Sequence, residues 1–271
     1  MHPIERLRMV ARAEGAGPSL LAREAAGALA GFVGDPAAVV TGCRRLVDRH
    51  PEMGTLWWLA ARVLAAPDSY GEIERAAAAL DADDTAAILA AELPGPVSAV
   101  VVGWPEQTAQ ALRRRGDVEV LAVDFDGEGQ ALARRLAASG VDAWDVPAAG
   151  AAAAVVVSGL VLVEAVSAGV SAGTAGLLAC PGSHAAAAVA RQAGVPVWAV
   201  VGAGRVLPAR LWEAQLSHID SLGHEPWDRT FELVPAALLD VVVGPGGRRD
   251  PADLGAAADC PVAPELLRIT G

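Results

Sequence analysis

The stretch Pro96–Gly140, PVSAVVVGWPEQTAQALRRRGDVEVLAVDFDGEGQALARRLAASG, decides the fold class. PVSAVVVGW is a short, continuously apolar run closed by a turn, the pattern of a strand buried on both faces. PEQTAQALRRR starts with Pro105, which suits a first helical position. VEVLAVDF is a second buried strand. GEGQALARRLAASG is a helix ending at Gly140, a natural C-cap. The same grammar continues downstream: VDAWDV is a strand, PAAGAAAAVV a short helix, GLVLVEAV a strand, GSHAAAAVARQAG a helix capped by Gly194, and PVWAVV a fifth strand. Strand and helix alternate, which predicts a parallel sheet with helices on both faces.

Upstream of Pro94 the pattern is different. Residues 1–93 read as all-helical, with no strand-like alternation. Helices are expected over Ile4–Ala30 with breaks near Gly15–Pro18, over Pro36–Arg49 behind the N-cap Asp35, over Met53–Ala65, and over Tyr70–Leu93. The expected fold class is therefore α/β: an N-terminal helical domain (1–93) followed by a Rossmann-like α/β domain (94–271).

Composition narrows the chemistry. The chain has 271 residues, 53% of them hydrophobic, and a net charge of −11, so non-specific attraction to phosphate backbones is not expected and neither is direct nucleic-acid binding. Its 21 basic residues are all Arg; there is no Lys and no Asn. Lysine Schiff bases and P-loops are thereby excluded. Any bound anion must be held by Arg, by backbone amides or by helix N-termini. Cys43, Cys180 and Cys260 are far apart and form no CxxC pair, which argues against a zinc site and fits a reducing, cytoplasmic compartment. The first residues lack the continuous apolar core of a signal peptide. The longest apolar stretch, Ala148–Val166, is broken at Gly150, Ser158 and Gly159 and reads as a buried helix followed by a buried strand, so no membrane partner is expected. GxSxG, HExxH and GxxxxGK[ST] are absent, and neither a cofactor nor a metal is expected.

In parallel sheets the ligand crevice lies at the carboxyl ends of the strands. The loops of interest are thus Gly103–Glu106, Asp124–Gly129, Glu164–Ser183 and Gly202–Pro208. Asp124, Asp126 and Glu128 can bond sugar hydroxyls; the alternative is a helix cap by Asp126 within a solvated acidic turn. Glu164 ends an apolar strand, where partial desolvation raises a carboxyl pKa and suits acid–base work; the alternative is a structural carboxylate paired with an Arg. Gly182 and Ser183 open a helix whose free amides favour an anion, although Ser183 is also a good N-cap. Arg205 in the GxG loop is placed to clamp a phosphate or to pair with a carboxylate. Trp57 and Trp58 read as core or interface rather than a cofactor stack, and Arg113–Arg115 as a solvated helix end.

The order of pieces resembles the family uniting translation initiation factor 2B α/β/δ subunits with methylthioribose-1-phosphate and ribose-1,5-bisphosphate isomerases. His50-Pro51-Glu52-Met53-Gly54-Thr55-Leu56 stands where the isomerases have an Arg-Pro-Thr-x-x-x-Leu-like stretch. Leu162–Val166 resembles the family's Val-Gly-Ala-Asp-Ala-Val strand end. After a hairpin-like insert, Pro181-Gly182-Ser183 resembles Asn-Lys-x-Gly-Thr, and Phe231–Val243 resembles the closing Phe-x-x-Val-Pro segment. The likeness spans about residues 40–250. It implies a ligand cleft between the two domains and a homodimer, or a larger homo-oligomer, built through the α/β domains. The departures are specific. Val102-Gly103-Trp104-Pro105 carries no Cys where the isomerases have their catalytic one. Glu164 replaces their Asp, His50 their Arg, and Ala179-Cys180 their Asn-Lys, while Cys180 lies at another strand end.

These readings converge on a protein that binds a phosphorylated sugar or nucleotide without catalysis, in a regulatory role. Gly182, Ser183 and Arg205 would hold the phosphate, and Asp124, Asp126, Glu128 and His50 the remainder. The alternative is an aldose–ketose isomerase of a sugar 1-phosphate, with Glu164 as acid/base.

Overall fold

A computed structural model describes residues 3–10, 17–125 and 127–267. Six helices come first: α1 (Pro3–Val10), α2 (Pro18–Leu29), α3 (Pro36–Arg49), α4 (Gly54–Ala65), α5 (Ser69–Asp81) and α6 (Thr85–Glu92). Asp35 caps α3 as expected, its carboxylate accepting the Ala38 amide at 3.0 Å. The single helix expected over Tyr70–Leu93 is two. Asp83 and Asp84 interrupt it because the Asp83 carboxylate accepts both the Thr85 amide (3.0 Å) and its hydroxyl (2.6 Å), a local bond that competes with helix continuation. The part of the first expected helix around Gly15 lies outside the described residues.

The second part alternates as its sequence predicts: β1 (Ser98–Val102), α7 (Glu106–Arg115), β2 (Glu119–Asp124), α8 (Glu128–Ala138), β3 (Ala143–Pro147), α9 (Ala151–Val157), β4 (Leu160–Glu164), β5 (Ser167–Val170), β6 (Ala175–Ala179), α10 (Ser183–Ala193), β7 (Val197–Val200), β8 (Val206–Leu207), α11 (Ala209–Ser221), β9 (Glu232–Pro235), β10 (Val241–Gly244) and β11 (Gly247–Arg249). Seven strands form one sheet in the order β11-β10-β7-β4-β1-β2-β3, parallel except for β11. Alternate residues of the strands face opposite layers. Val100, Val102, Val161 and Val163 pack with Ala154, Val155, Ala186 and Ala190 of α9 and α10. Ala99, Val101, Leu160 and Leu162 pack with Leu89, Leu112, Leu132 and Leu136 of α6, α7 and α8. Both faces are covered, as apolar strands require.

A second, four-stranded sheet, β8-β5-β6-β9, stands at the carboxyl end of β4. The helices α2–α5 dock there: Trp57 and Trp58, both wholly buried, share one core with Leu178, Leu207, Trp212 and Ile219. Their indole N–H groups donate to the Pro51 carbonyl (3.0 Å) and to Asp259 (2.7 Å), so these side chains are structural, as read. Arg115 is not merely solvated: it donates to the carbonyls of Ala90, Leu93 and Pro94 at the end of α6. Gly129 sets the distance between β2 and α8, because a Cβ there would lie 2.6 Å from the Val123 carbonyl oxygen.

Candidate functional site

Three helices, α7, α8 and α10, begin at the carboxyl edge of the large sheet. None has a capping side chain at its N-cap, which is Pro105, Gly127 and Gly182 respectively. Helix starts leave amide donors unsatisfied and carry a partial positive charge. In each case a carboxylate from a strand answers them. Glu164, at the end of β4, accepts the Gln107 amide (3.2 Å), the Thr108 amide (2.8 Å) and the Thr108 hydroxyl (2.9 Å). Asp124, at the end of β2, accepts the Gly127 and Gly129 amides at 2.6 and 3.3 Å. Glu232 of β9 accepts the His184 amide at 2.6 Å.

Glu164 also pairs with Arg205, whose Nη1 donates to Oε1 at 2.8 Å and to the Ala165 carbonyl at 2.6 Å. The two side chains are 6% and 0% exposed. Four bonds on two carboxylate oxygens match the roughly four acceptor sites such a group has. Arg205 keeps Nε and Nη2 without partners. Asp83 adds a second tie, accepting from Gln107 Nε2 and the Ala203 amide, both at 2.9 Å.

These groups sit beneath a cleft of about 810 Å³ between the sheet edge and the first helices. Its walls include Gly17, Glu52, Met53, Trp104, Glu106, Arg113, Glu128, Arg135, Glu164, Cys180, Arg205 and Phe231. Arg135 lies over the Trp104 ring, 5.4 Å from its centroid. Cys180 is brought against β1: its thiol donates to the Val102 carbonyl at 3.2 Å, and Gly103, at φ +68°, leaves room for it, a Cβ there lying 2.9 Å from the sulfur. Burial pushes the Glu52 carboxyl up from its ordinary value, against opposing help from its own backbone and from His50.

Of the catalytic and ligand-binding candidates named from sequence, Glu128, Glu164 and Arg205 reach this cleft. Asp124 is engaged as a helix cap. The Ser183 amide donates to the Cys180 carbonyl (3.2 Å), the Phe125 ring lies against Gly182, and Glu232 occupies the next amide. His50 is buried at the end of α3, its Nε2 2.9 Å from the Val10 carbonyl oxygen. Asp126 lies outside the described residues. Sequence reading missed Glu52, Asp83, Glu106, Gln107, Thr108 and Glu232. One signal was present: the start of α7, with Pro105 at the cap, offers no capping side chain and must find an acceptor elsewhere.

No protein-family model matches the chain, and no curated protein matches it in sequence. Solved structures do match in shape. Translation initiation factor eIF-2B of Pyrococcus horikoshii OT3 superposes with a TM-score of 0.74 at 16% identity, over 92% of this chain and 97% of that one. The chain has the eIF2B-subunit fold. The tetrameric eIF2B-beta2-delta2 complex from Chaetomium thermophilum gives 0.75 at 18% identity, over 94% and 92% of the chains. eIF2B beta from the same organism gives 0.71 at 19%, over 94% and 88%. The resemblance drawn from sequence is thus borne out at the level of fold. Among the described residues of this eIF2B-like chain, no helix is long and apolar enough to cross a membrane.

Two outcomes follow from the electrostatics. Glu164→Gln leaves Arg205 charged and buried; it is expected to lower stability by about 3 kcal/mol in urea melts, with part recovered by Arg205→Met in the same chain. For Glu52 the folded carboxyl titrates above the unfolded one. Its stability contribution is complete below the unfolded pKa, near 4.5, and falls as pH rises through the folded value. Glu52→Gln is therefore expected to be more stable than the parent at pH 7, and the difference to vanish below about pH 4 when urea melts are repeated there.

Proposed function

We propose that this chain is a non-catalytic, ligand-binding protein that holds a phosphorylated sugar or nucleotide in the cleft and works as a homodimer. The observation that carries this reading is the saturation of the sheet edge. Glu164 has its acceptor sites filled by α7 and Arg205, so the floor offers a brace where an isomerase needs a proton shuttle. With the α10 start engaged by Glu232, the groups suited to phosphate are Arg113 and Arg135 on the cleft walls, while Glu128 and Glu106 suit sugar hydroxyls.

One observation favours the isomerase alternative. The Cys180 thiol stands at the end of β1, beside the segment where the isomerases this sequence resembles carry their catalytic Cys. The two readings part in one experiment. A panel of sugar phosphates and nucleotides is scanned by thermal shift, and each stabilising compound is then followed by NMR for conversion. We expect a raised melting temperature, equivalent to about 2.7 kcal/mol at a hundredfold excess over Kd, and no conversion. Conversion lost in Glu164→Gln would support the isomerase; no shift with any phosphorylated compound would refute the binding reading.

The homodimer rests on the α9 face. Pro147–Val157 carries no charged residue, and Val156 and Val157 are 57% and 75% exposed, with Trp144 nearby on the edge strand at 57%. Copies of a chain of net charge −11 repel one another, and a two-fold contact through this uncharged face avoids that repulsion where the surfaces touch. Val157→Asp is expected to convert a dimer to a monomer by light scattering, with the monomer's circular dichroism unchanged.

A further inference from the structure

The floor of the cleft holds a guanidinium with one edge unused. Arg205 is wholly buried and lines the cleft. Its Nη1 is spent on Glu164 Oε1 (2.8 Å) and on the Ala165 carbonyl (2.6 Å). Nε and Nη2, which form one edge of the planar fork, find no acceptor among the described residues. Asp83 is close by and does not answer them. A Cβ at Gly202 would lie 2.8 Å from Asp83 Oδ2 and 3.2 Å from Arg205 Nε, yet that oxygen accepts from Gln107 Nε2 and the Ala203 amide, both at 2.9 Å. A buried donor without an acceptor is costly, and more so on a charged group. The open edge is a place for an oxygen that the chain itself does not supply.

The charges around that edge choose among acceptors. A phosphate or a carboxylate would fit the fork in shape. The positive charge of Arg205 is, however, already met by Glu164, and Asp83 stands on the Nε side. Glu52 and Glu106 line the same cleft. Burial pushes the Glu52 carboxyl up, so further negative charge is disfavoured there. A hydroxyl adds no charge. It also donates, and Glu106 Oε2 is a buried oxygen without a donor. Glu106 precedes Gln107, whose amide shares Glu164 Oε1 with Arg205 Nη1, so Glu106 and Arg205 flank one carboxylate.

Resting on the binding reading above, we infer that the far end of the ligand is uncharged and hydroxylated: it seats on the open edge of Arg205, while the phosphate is held by Arg113 and Arg135 farther along α7 and α8. The ligand class is a sugar or polyol monophosphate. Phosphorylated sugar acids and bisphosphates bring a second anion to the floor and are rejected. Arg205 thereby sets specificity.

The test is a matched pair. Glucitol 6-phosphate and 6-phosphogluconate differ only at C1, a hydroxymethyl in one and a carboxylate in the other. Each is titrated into the full chain by calorimetry at pH 7, in about 0.02 M and about 0.3 M salt. The polyol is expected to bind at least about tenfold more tightly in both, whereas a preference arising from surface charge alone would be screened away at the higher. Arg205→Lys keeps a cation for Glu164 and lacks the fork. It is expected to weaken the polyol about tenfold and the acid less than about threefold. Equal or tighter binding of 6-phosphogluconate, or a preference confined to low salt, overturns this inference and leaves the phosphate-binding reading standing. So does an Arg205→Lys chain that keeps the full preference; if that variant does not fold, the titrations of the parent decide. Failure of both compounds to bind overturns the two readings together.

Discussion

The contact on which the rest depends is the buried bond set of Glu164. One carboxylate joins three things that sequence keeps far apart: the end of β4, the start of α7 and the loop carrying Arg205. Each bond stabilises the others. The charge of Glu164 is tolerable inside because Arg205 and two amides meet it, and Arg205 is tolerable because Glu164 does. Asp83 fastens the same helix and the same loop to the α5–α6 turn. The cleft walls are therefore held by charged bonds at the bottom rather than by an apolar plug. That keeps the space above them open, and it places Glu106, the residue just before Gln107, at the cavity wall.

The alternation of strands and helices was legible because its strands are buried on both faces and read as unbroken Val/Ala/Leu runs between clear turns. β1, β2 and β4 needed no tertiary information. The four-stranded sheet was far harder. β8 has two residues, and β5 and β6 contain Gly169 and Gly176, so the strands carry weak local signal. Their order is set by partners distant in sequence, β9 pairing with β6 and β8 with β5. The α5–α6 break was hidden for a related reason. Asp83 sits in an Ala-rich run, and its local bonds to Thr85 are joined by bonds to Gln107 and Ala203 that the sequence does not reveal.

The site was legible as a place and not as a set of roles. Position at a strand's carboxyl end identified Glu164, Asp124, Gly182 and Arg205 together. What each does depends on which helix start lies beside it, and for Glu164 that start is 57 residues away at Gln107. Both alternatives for Glu164 were visible in the sequence, and the described bonds include those of the ion pair, whereas the cap expected at Asp126 is made by Asp124. Glu106 and Arg113 were not expected in the cleft because their helix alone does not reveal the cavity they line.

A bound phosphate and an internal carboxylate compete for the same donors at a helix start, since both are anions that accept amide hydrogen bonds in the field of the dipole. Here strand carboxylates bond the starts of α7, α8 and α10, so the frame of the crevice does not wait for a ligand to order it. For the binding reading proposed above, the consequence is a displacement of anion recognition. With no lysine in the chain and the amides engaged, arginines must do the work, and those of α7 and α8 project from turns farther along each helix. In that reading the anion sits about two turns, roughly 10 Å, outward from the sheet edge.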